Sequence, residues 1–258
     1  MRPVVLVVVS SLTFLGSAAA NAASEACLEQ APTIVGTAGD DQIVGTPGRD
    51  VILARAGDDV VWGRGGRDLI CGGAGDDTIR AGRRIDRVDD GRGADIVSLG
   101  RGWDELLGGP GADRVCGNAG NDHLFDGGGR DVLRGGDRND FLWLGGGADL
   151  LVGGAGNDWV LADRAGSPAV IDLTAGEVES STGLDEIAGF EHAQGTNGED
   201  ILIGDARNNA LLGWAGDDRI EGRDGDDQLY GFAGVDLLDG GGGTDQCFDG
   251  ESVLECEA

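Results

Sequence analysis

Residues 72–80 read GGAGDDTIR, and this nine-residue pattern runs without a gap through fourteen blocks from Gly36 to Leu161. Gly occupies the fourth position of nearly every block, and the eighth position is always Ile, Val or Leu. The sixth position is aspartate in all fourteen blocks: Asp41, Asp50, Asp59, Asp68, Asp77, Asp86, Asp95, Asp104, Asp113, Asp122, Asp131, Asp140, Asp149 and Asp158. A fixed period of this length is typical of architectures in which similar units stack on one another.

Each block predicts one tight turn and one short strand. Six Gly-rich residues can turn tightly because Gly tolerates positive φ. The next three residues form a strand whose middle aliphatic side chain points inward, since side chains alternate along a strand. Two blocks then complete one coil, and block n stacks on block n+2 about 4.8 Å away. The predicted fold is therefore an all-β parallel β-roll, a β-solenoid with two nonapeptides per coil.

The repeat divides the chain into a longer and a shorter array. We predict a fourteen-block β-roll over 36–161, a connector over 162–194 and a second array of six blocks over 195–248. The second array carries these residues at its sixth position: Asp200, Asn209, Asp218, Asp227, Asp236 and Asp245. The connector is expected to form short strands around a turn at Thr174–Gly176, as a hairpin that bulges out while the roll continues.

The first residues predict a secretory signal peptide over 1–22. Arg2 precedes an apolar run from Val4 to Leu15, and the small residues that follow predict cleavage after Ala22. A membrane anchor is the weaker reading, because the run is shorter than the ~20 residues that span a bilayer. Short caps are expected over 23–35 and 249–258. The mature chain is then expected outside the cell, a compartment that permits disulfides.

The charge of the chain restricts its partners. There are 19 basic and 47 acidic residues, which give a formal net charge of −28, and no residue is Lys. Such a polyanion is not expected to bind nucleic acid, and anionic membranes repel it. Beyond the signal peptide, no second apolar segment is long enough to enter a membrane. The expected partner is a multivalent cation.

The pattern Gly-Gly-x-Gly-x-Asp-x-aliphatic-x resembles the RTX (repeats-in-toxin) calcium-binding family, specifically its small secreted members that contain little but repeats. The cleanest copies are Gly72–Arg80 and Gly153–Leu161. The resemblance implies that carboxylates of adjacent coils, together with backbone carbonyls, hold about eight to twelve Ca²⁺ ions. The expected ligands are the sixth-position aspartates of the intact turns: Asp41, Asp50, Asp59, Asp68, Asp77, Asp95, Asp113, Asp122, Asp131, Asp149, Asp158, Asp218, Asp227, Asp236 and Asp245.

Three turns carry arginine at the fourth position, where Gly is the rule. Arg84 and Arg138 lie in the first array, and Arg207 lies in the block where Asn209 replaces the aspartate. These turns are expected to bind calcium poorly. A guanidinium donates several hydrogen bonds to carboxylates, so one hypothesis is that the arginines stand in for the missing ion. The alternative is simple degeneration of a redundant repeat.

Five cysteines leave one unpaired in a secreted chain. Cys247 and Cys256 are close in sequence and predict a C-terminal disulfide. Cys27 and Cys71 resemble an N-terminal disulfide of similar secreted proteins. Cys71 and Cys116 are five blocks apart, which places them on opposite sheets and ~12 Å apart along the axis, too far to bond. Cys116 is the expected free thiol.

Nothing in the sequence predicts an enzyme. It contains neither an HExxH zinc motif nor a GxSxG nucleophile elbow, and the repeats leave little room for a catalytic domain. His123 and His192 are interpreted as surface residues. We therefore expect a secreted, non-enzymatic structural or interaction module. The alternative is an accessory or degraded piece of an RTX calcium-dependent hydrolase or cytolysin system.

Outward side chains of same-parity blocks predict one apolar strip on one sheet. Its members include His123, Phe125, Phe141, Trp143 and Trp159. An exposed patch of this kind usually marks an interaction site, and a cell-envelope polysaccharide or protein is the candidate partner. The favoured interpretation is that the connector, which begins at Ala162, folds back and covers the strip, and binding of such a partner is the competing hypothesis.

Overall fold

The computed structural model describes residues 27–162, 168–249 and 252–256. These residues form short strands joined by turns, with no helix among them, and the all-β prediction is confirmed. No helix in this part of the chain could therefore cross a membrane. The predicted signal peptide over 1–22 lies outside the described residues.

The strands are short and recur at every block. In the first array they are β1 (Ile34–Val35), β2 (Gln42–Val44), β3 (Val51–Ala56), β4 (Val60–Trp62), β5 (Leu69–Ala74), β6 (Thr78–Arg83), β7 (Arg87–Arg92), β8 (Ile96–Gly102), β9 (Glu105–Leu107), β10 (Pro110–Gly111), β11 (Arg114–Gly120), β12 (His123–Phe125), β13 (Gly128–Gly129), β14 (Val132–Asp137), β15 (Phe141–Trp143), β16 (Gly146–Gly147), β17 (Leu150–Ala155) and β18 (Trp159–Leu161). The connector contains β19 (Val170–Asp172), β20 (Glu177–Ser180), β21 (Gly183–Ala188) and β22 (His192–Gln194). The second array contains β23 (Ile201–Ile203), β24 (Ala210–Ala215), β25 (Arg219–Glu221), β26 (Gln228–Ala233), β27 (Leu237–Asp239), β28 (Gln246–Phe248) and β29 (Ser252–Leu254).

Two long sheets form the opposite faces of a parallel roll. Among the described strands, sheet I has the order β1-β3-β5-β7-β9-β12-β15-β18-β22-β24-β26-β28. Sheet II has the order β2-β4-β6-β8-β11-β14-β17-β21-β20-β19-β23-β25-β27-β29. Leu124 pairs in parallel with Leu106 on one side and Leu142 on the other, each 18 residues away. This register confirms that two nonapeptides make one coil.

The eighth position of each block supplies the core. Its side chains from both sheets meet in one cluster that runs the length of the roll, and most are fully buried: Ile52, Val61, Ile70, Ile79, Val88, Leu106, Leu124, Leu133, Leu142, Leu151, Val160, Leu202, Leu211, Ile220, Leu229 and Leu238. The first position of the block also faces inward. Leu99 and Leu144 occupy it and join the same cluster with no exposed surface. The sequence pattern did not indicate this second inward row.

The connector strands β19, β20 and β21 lie within sheet II and do not bulge out of it. A tight turn joins β19 to β20, and the N–H of Gly176 donates to the carbonyl of Asp172 at 2.9 Å. The two strands pair antiparallel, with Ile171 opposite Val178 and both side chains buried. β20 also pairs antiparallel with β21, while β19 pairs in parallel with β23. The expected hairpin is present, but the expectation that it bulges out is wrong, because both edges find strand partners.

Both predicted disulfides are present. Cys27 bonds to Cys71 on sheet I, and Cys247 bonds to Cys256. The first bond ties residues before the roll to its fourth block, beside a small cluster that includes Val51. Cys116 lies on sheet II and is free, as predicted.

Candidate metal centre

The turns between strands stack so closely that they require glycine. Gly93 has φ +138°, and a Cβ added to it would lie 2.0 Å from the carbonyl oxygen of Gly75 one coil earlier. No side chain fits that space, and an L-residue would also be strained at this φ. The result is a column of closely packed backbone carbonyls along each side of the roll.

The sixth-position aspartates form a continuous ladder beside those carbonyls. Asp77 Oδ1 accepts a hydrogen bond from the N–H of Asp59 at 2.8 Å, and Asp95 Oδ1 accepts one from the N–H of Asp77 at 2.7 Å. The same contact joins Asp200 to Asp218 and Asp227 to Asp245 in the second array. Most of these side chains are almost completely buried. Each carboxylate therefore belongs to two coils at once.

The second carboxylate oxygen has no partner in most of these turns. Within the described residues, Oδ2 is buried and accepts no hydrogen bond at these sixth positions: Asp59, Asp68, Asp77, Asp86, Asp95, Asp104, Asp113, Asp122, Asp131, Asp140, Asp149, Asp158, Asp218, Asp227 and Asp245. An unsatisfied buried polar group costs about 1–3 kcal/mol, and a charged one costs more. Ca²⁺ prefers carboxylate and carbonyl oxygens in a flexible geometry. The turns offer both, so these residues fit the ion.

The electrostatics of the ladder also favour a cation. Burial raises the pKa of Asp86 to about 8, that of Asp95 to about 7 and that of Asp77 to about 6. The carboxylates of the neighbouring coils raise these values further, against the opposing backbone hydrogen bond. A divalent ion between the coils would counteract the rise, because an opposite charge favours the ionised carboxylate.

Some turns satisfy the aspartate without an ion. The N–H of Thr46 donates to Asp50 Oδ2 at 2.6 Å, and the N–H of Thr196 donates to Asp200 Oδ2 at 2.6 Å. The N–H of Thr37 makes the same contact with Asp41 at 2.5 Å. These turns share threonine at the second position. Asp41 and Asp50 were predicted as ligands, yet each has less free acceptor capacity than the aspartates of the Gly-Gly turns.

The turn around Asn209 is closed by a cation from the chain itself. Arg207 pairs with Glu191 and with Asp205, where Nη2 lies 2.6 Å from Oδ2, and donates to the carbonyl of Phe190 at 2.8 Å. Asn209 Nδ2 donates to the carbonyl of Glu191 at 2.8 Å. Although burial raises the pKa of Asp205, the hydrogen bonds from Arg207 and Asn209 outweigh it and hold the pKa below its usual value. These contacts support the stand-in hypothesis for Arg207.

Arg84 and Arg138 do not act in this way. Both side chains are exposed, and neither forms an ion pair among the described residues. Their backbones adopt φ +81° and +83° to follow the turn, and this directs the side chains to solvent. Oδ2 of Asp86 and Oδ2 of Asp140 stay without a hydrogen bond. The stand-in hypothesis is therefore wrong for these two arginines.

Two further carboxylates belong to the turns and were missed by the sequence reasoning. Asp90 and Asp126 occupy the inward first position of their blocks and are completely or almost completely buried. The ligand atoms of Asp90, Asp95 and Asp113 all lie within 4.8 Å of one another, and so do those of Asp126, Asp131 and Asp149. The signal was visible as aspartate at a position that is otherwise Gly, Ala or Leu. It was unrecognised because that position was not known to face inward.

The predicted aromatic strip is present on sheet I. Phe125 and Trp143 stack with ring centroids 4.2 Å apart, and Phe141 and Trp159 lie nearly parallel at 6.1 Å. Strand β22 pairs beside Trp159 and adds His192 to the strip, with the ring centroids 4.8 Å apart. The described part of the connector thus lies next to the strip, while residues 163–167, where the connector begins, lie outside the described residues. Coverage of the strip by the connector stays a prediction.

The fold and the turns define a parallel β-roll whose stacked turns carry buried columns of carboxylates. The family model of the RTX calcium-binding nonapeptide repeat matches residues 35–70, 72–106, 101–124, 125–160, 194–229 and 215–247. These matches cover more than half of the chain, which therefore belongs to this family of calcium-binding repeat proteins. No curated protein matches the chain.

Proposed function

We propose that the protein is a secreted, non-enzymatic extracellular module whose folding is driven by Ca²⁺. The observation that carries the proposal is the column of buried Oδ2 atoms that accept no hydrogen bond. These atoms are arranged for a cation that lies between coils and neutralises both carboxylates. The proposed ligands are the sixth-position aspartates of the intact turns, with about eight to twelve ions in all.

Calcium acts as a structural element in this proposal. Each block buries one aliphatic side chain, which is a small apolar gain against the entropy of so many glycines. Adjacent carboxylates about 4.8 Å apart also repel each other. A metal that binds only the folded chain adds its binding free energy to folding. Ion binding therefore tips the balance toward the roll.

The affinity should match an extracellular module. Sites of that kind bind Ca²⁺ with Kd on the order of 10⁻⁴–10⁻³ M. At the low free calcium inside a cell the chain would stay unfolded, a state that suits export. The apolar run after Arg2 supports secretion.

Far-ultraviolet circular dichroism with calcium counting tests the proposal. The purified chain should be largely disordered in excess chelator, convert to β-structure in millimolar Ca²⁺, and respond poorly to Mg²⁺, which keeps its waters and demands an octahedral site. Equilibrium dialysis should count about eight to twelve ions. A full β-spectrum in chelator would overturn the proposal. Hydrolytic activity of the pure chain would favour an accessory role in an RTX hydrolase system.

A second candidate function is binding of a cell-envelope polysaccharide by the aromatic strip. Trp103 is 57% exposed and extends the strip by an edge contact with His123 at 5.7 Å. The near-parallel, half-buried rings of Phe141 and Trp159 offer a flat apolar platform, and an apolar surface patch favours an interaction.

Substitution of Phe141, Trp143 and Trp159 by Ser separates binding from stability. The triple variant should lose affinity for purified envelope polysaccharide while it takes up the same number of calcium ions. Lower stability with unchanged polysaccharide binding would contradict the platform and would assign the rings to packing alone, where each contributes about 1.5–3 kcal/mol.

A further inference from the structure

We propose that Asp90 and Asp126 each complete a buried three-carboxylate site that binds Ca²⁺ more tightly than the remaining turns. The inference rests on the proposed function, because it ranks the ion sites of the same roll. An ordinary intact turn supplies one carboxylate from each of two coils. These two turns supply a third from the first position of the block.

The site at Asp90 is built from two adjacent coils. Asp90 has no exposed surface, and its Oδ1 accepts a hydrogen bond from the N–H of Gly109 at 2.7 Å. Its Oδ2 is buried and accepts no hydrogen bond. The carboxylates of Asp95 and Asp113 approach within 4.8 Å of it, and the Oδ2 atoms of both also lack a partner. Three acceptors thus converge with no donor for their free oxygens.

The same arrangement recurs two coils further along the same side. Asp126 is 1% exposed, and its Oδ2 accepts no hydrogen bond. It lies within 4.8 Å of Asp131 and Asp149, and no N–H or hydroxyl group donates to the Oδ2 atom of either. The spacing between Asp90 and Asp126 is 36 residues, or two 18-residue coils. Recurrence of the triad makes a chance cluster a poor explanation.

The buried position of these aspartates beside the core favours a bound cation. Leu144 occupies the first position one coil after Asp126 and belongs to the hydrophobic core. A carboxylate at such a position is costly unless a charge of opposite sign is close. Neither Asp90 nor Asp126 forms an ion pair with an arginine in the described part of the chain. A bound divalent ion supplies that charge.

The third carboxylate sets the order of filling. Affinity of oxygen-ligand calcium sites rises with the number of charged ligands and the rigidity of the site. Both triads lie inside the fourteen-block array, away from its ends. As calcium rises, they fill first, and the coils around Asp90 and Asp126 form before the rest of the roll.

Calcium isotherms of isosteric variants test the proposal. Wild type should bind two ions about tenfold or more tightly than the others. Asp90→Asn and Asp126→Asn should each remove one tight ion, and the double variant both. Asp217→Asn is the control, because it removes the same charge from an exposed position in the second array, away from both triads, and both tight ions should remain. A single class of ions in wild type, or tight ions that survive the double substitution, would overturn the proposal.

Terbium luminescence gives a second readout that needs no change in the site. The carbonyl of Trp143 accepts a hydrogen bond from the N–H of Asp126 at 3.4 Å, and both residues line the same groove. Tb³⁺ excited through tryptophan should therefore emit within the first two equivalents, and Trp143→Phe should abolish the part of this early emission that comes from the Asp126 site. Trp214→Phe, in the second array, should reduce only later emission. Early emission that depends on Trp214 instead would contradict the order of filling. If calcium induces no β-structure in the wild-type chain, the proposed function itself is refuted.

Discussion

Substitution of Asp77 by Asn should remove two calcium ions, because this carboxylate is shared between two gaps. Its Oδ1 accepts the N–H of Asp59 in the preceding coil, and its N–H donates to Asp95 in the following one. Asn is almost isosteric with Asp, and Asn209 occupies the same position in the second array, where its backbone N–H donates to Asp227 Oδ1 at 2.7 Å. The change therefore removes charge without breaking the turn.

The expected loss of stability follows from the number of ions. At free calcium ten times Kd, one bound ion stabilises the fold by about 1.4 kcal/mol. Loss of both ions beside Asp77 should lower the free energy of unfolding by about 3 kcal/mol. Asp245 provides the matched control, since it lies in the last block of the second array and forms its ladder hydrogen bond with Asp227 alone among the described aspartates. Asp245→Asn should cost about half as much.

Urea unfolding at fixed calcium, combined with equilibrium dialysis, measures both quantities. The Asp77 variant should bind two ions fewer than wild type, and the Asp245 variant one fewer. As free calcium is lowered toward Kd, the difference in stability between the variants should shrink, because each bound ion then stabilises the fold less. Equal ion counts for the two variants, or a difference in stability that does not depend on free calcium, would refute the sharing of carboxylates between gaps.

Three further predictions test the core, the turns and the charge of the roll. Leu124→Ala should lower the free energy of unfolding by about 2–5 kcal/mol at saturating calcium, because the side chain is fully buried; a loss below 1 kcal/mol in urea unfolding would contradict a packed core. Gly93→Ala should prevent normal stacking, since its Cβ would lie 2.0 Å from the carbonyl oxygen of Gly75, whereas Gly39→Ala meets nothing within 4 Å; equal calcium midpoints for the two variants would contradict close stacking. In excess chelator, β-structure should increase as pH falls from about 8 to about 5, because burial raises the pKa of Asp86 to about 8 and the folded chain binds protons more tightly than the unfolded chain. This stabilisation is lost as pH rises through the raised pKa values. A circular dichroism signal of β-structure that decreases on acidification would contradict the prediction.

The architecture could be predicted from sequence because the period leaves little freedom. A nine-residue repeat with one aliphatic residue at its eighth position forces that residue inward in every coil, and a shift by one would expose the whole row. The observed 18-residue register between Leu106 and Leu124 is the direct result. The sixth-position aspartates, two residues before the inward aliphatic residue, therefore line the turns.

Other features depended on contacts that a linear pattern does not contain. The inward direction of the first position becomes visible only when Leu144 and Asp126 are placed in stacked coils. The pairing of the connector hairpin inside sheet II depends on free strand edges at both ends of the two arrays. Arg84 and Arg207 share the same position in the repeat, yet among the described residues only Arg207 forms ion pairs, one with Asp205 in its own turn and one with Glu191 in the connector. The contacts of a defective turn thus depend on its own substitutions and on neighbours outside the repeat.

Small-angle X-ray scattering of the disulfide-bonded chain, with and without calcium, tests the central claim most directly. Twelve strands of sheet I at about 4.8 Å spacing give a roll roughly 50 Å long, with a radius of gyration of about 20 Å. An unfolded chain of this length has a radius of gyration of about 50 Å. At neutral pH we predict a value near the larger figure in excess chelator and near the smaller one in millimolar Ca²⁺. A radius of gyration near 20 Å in chelator would contradict calcium-driven folding.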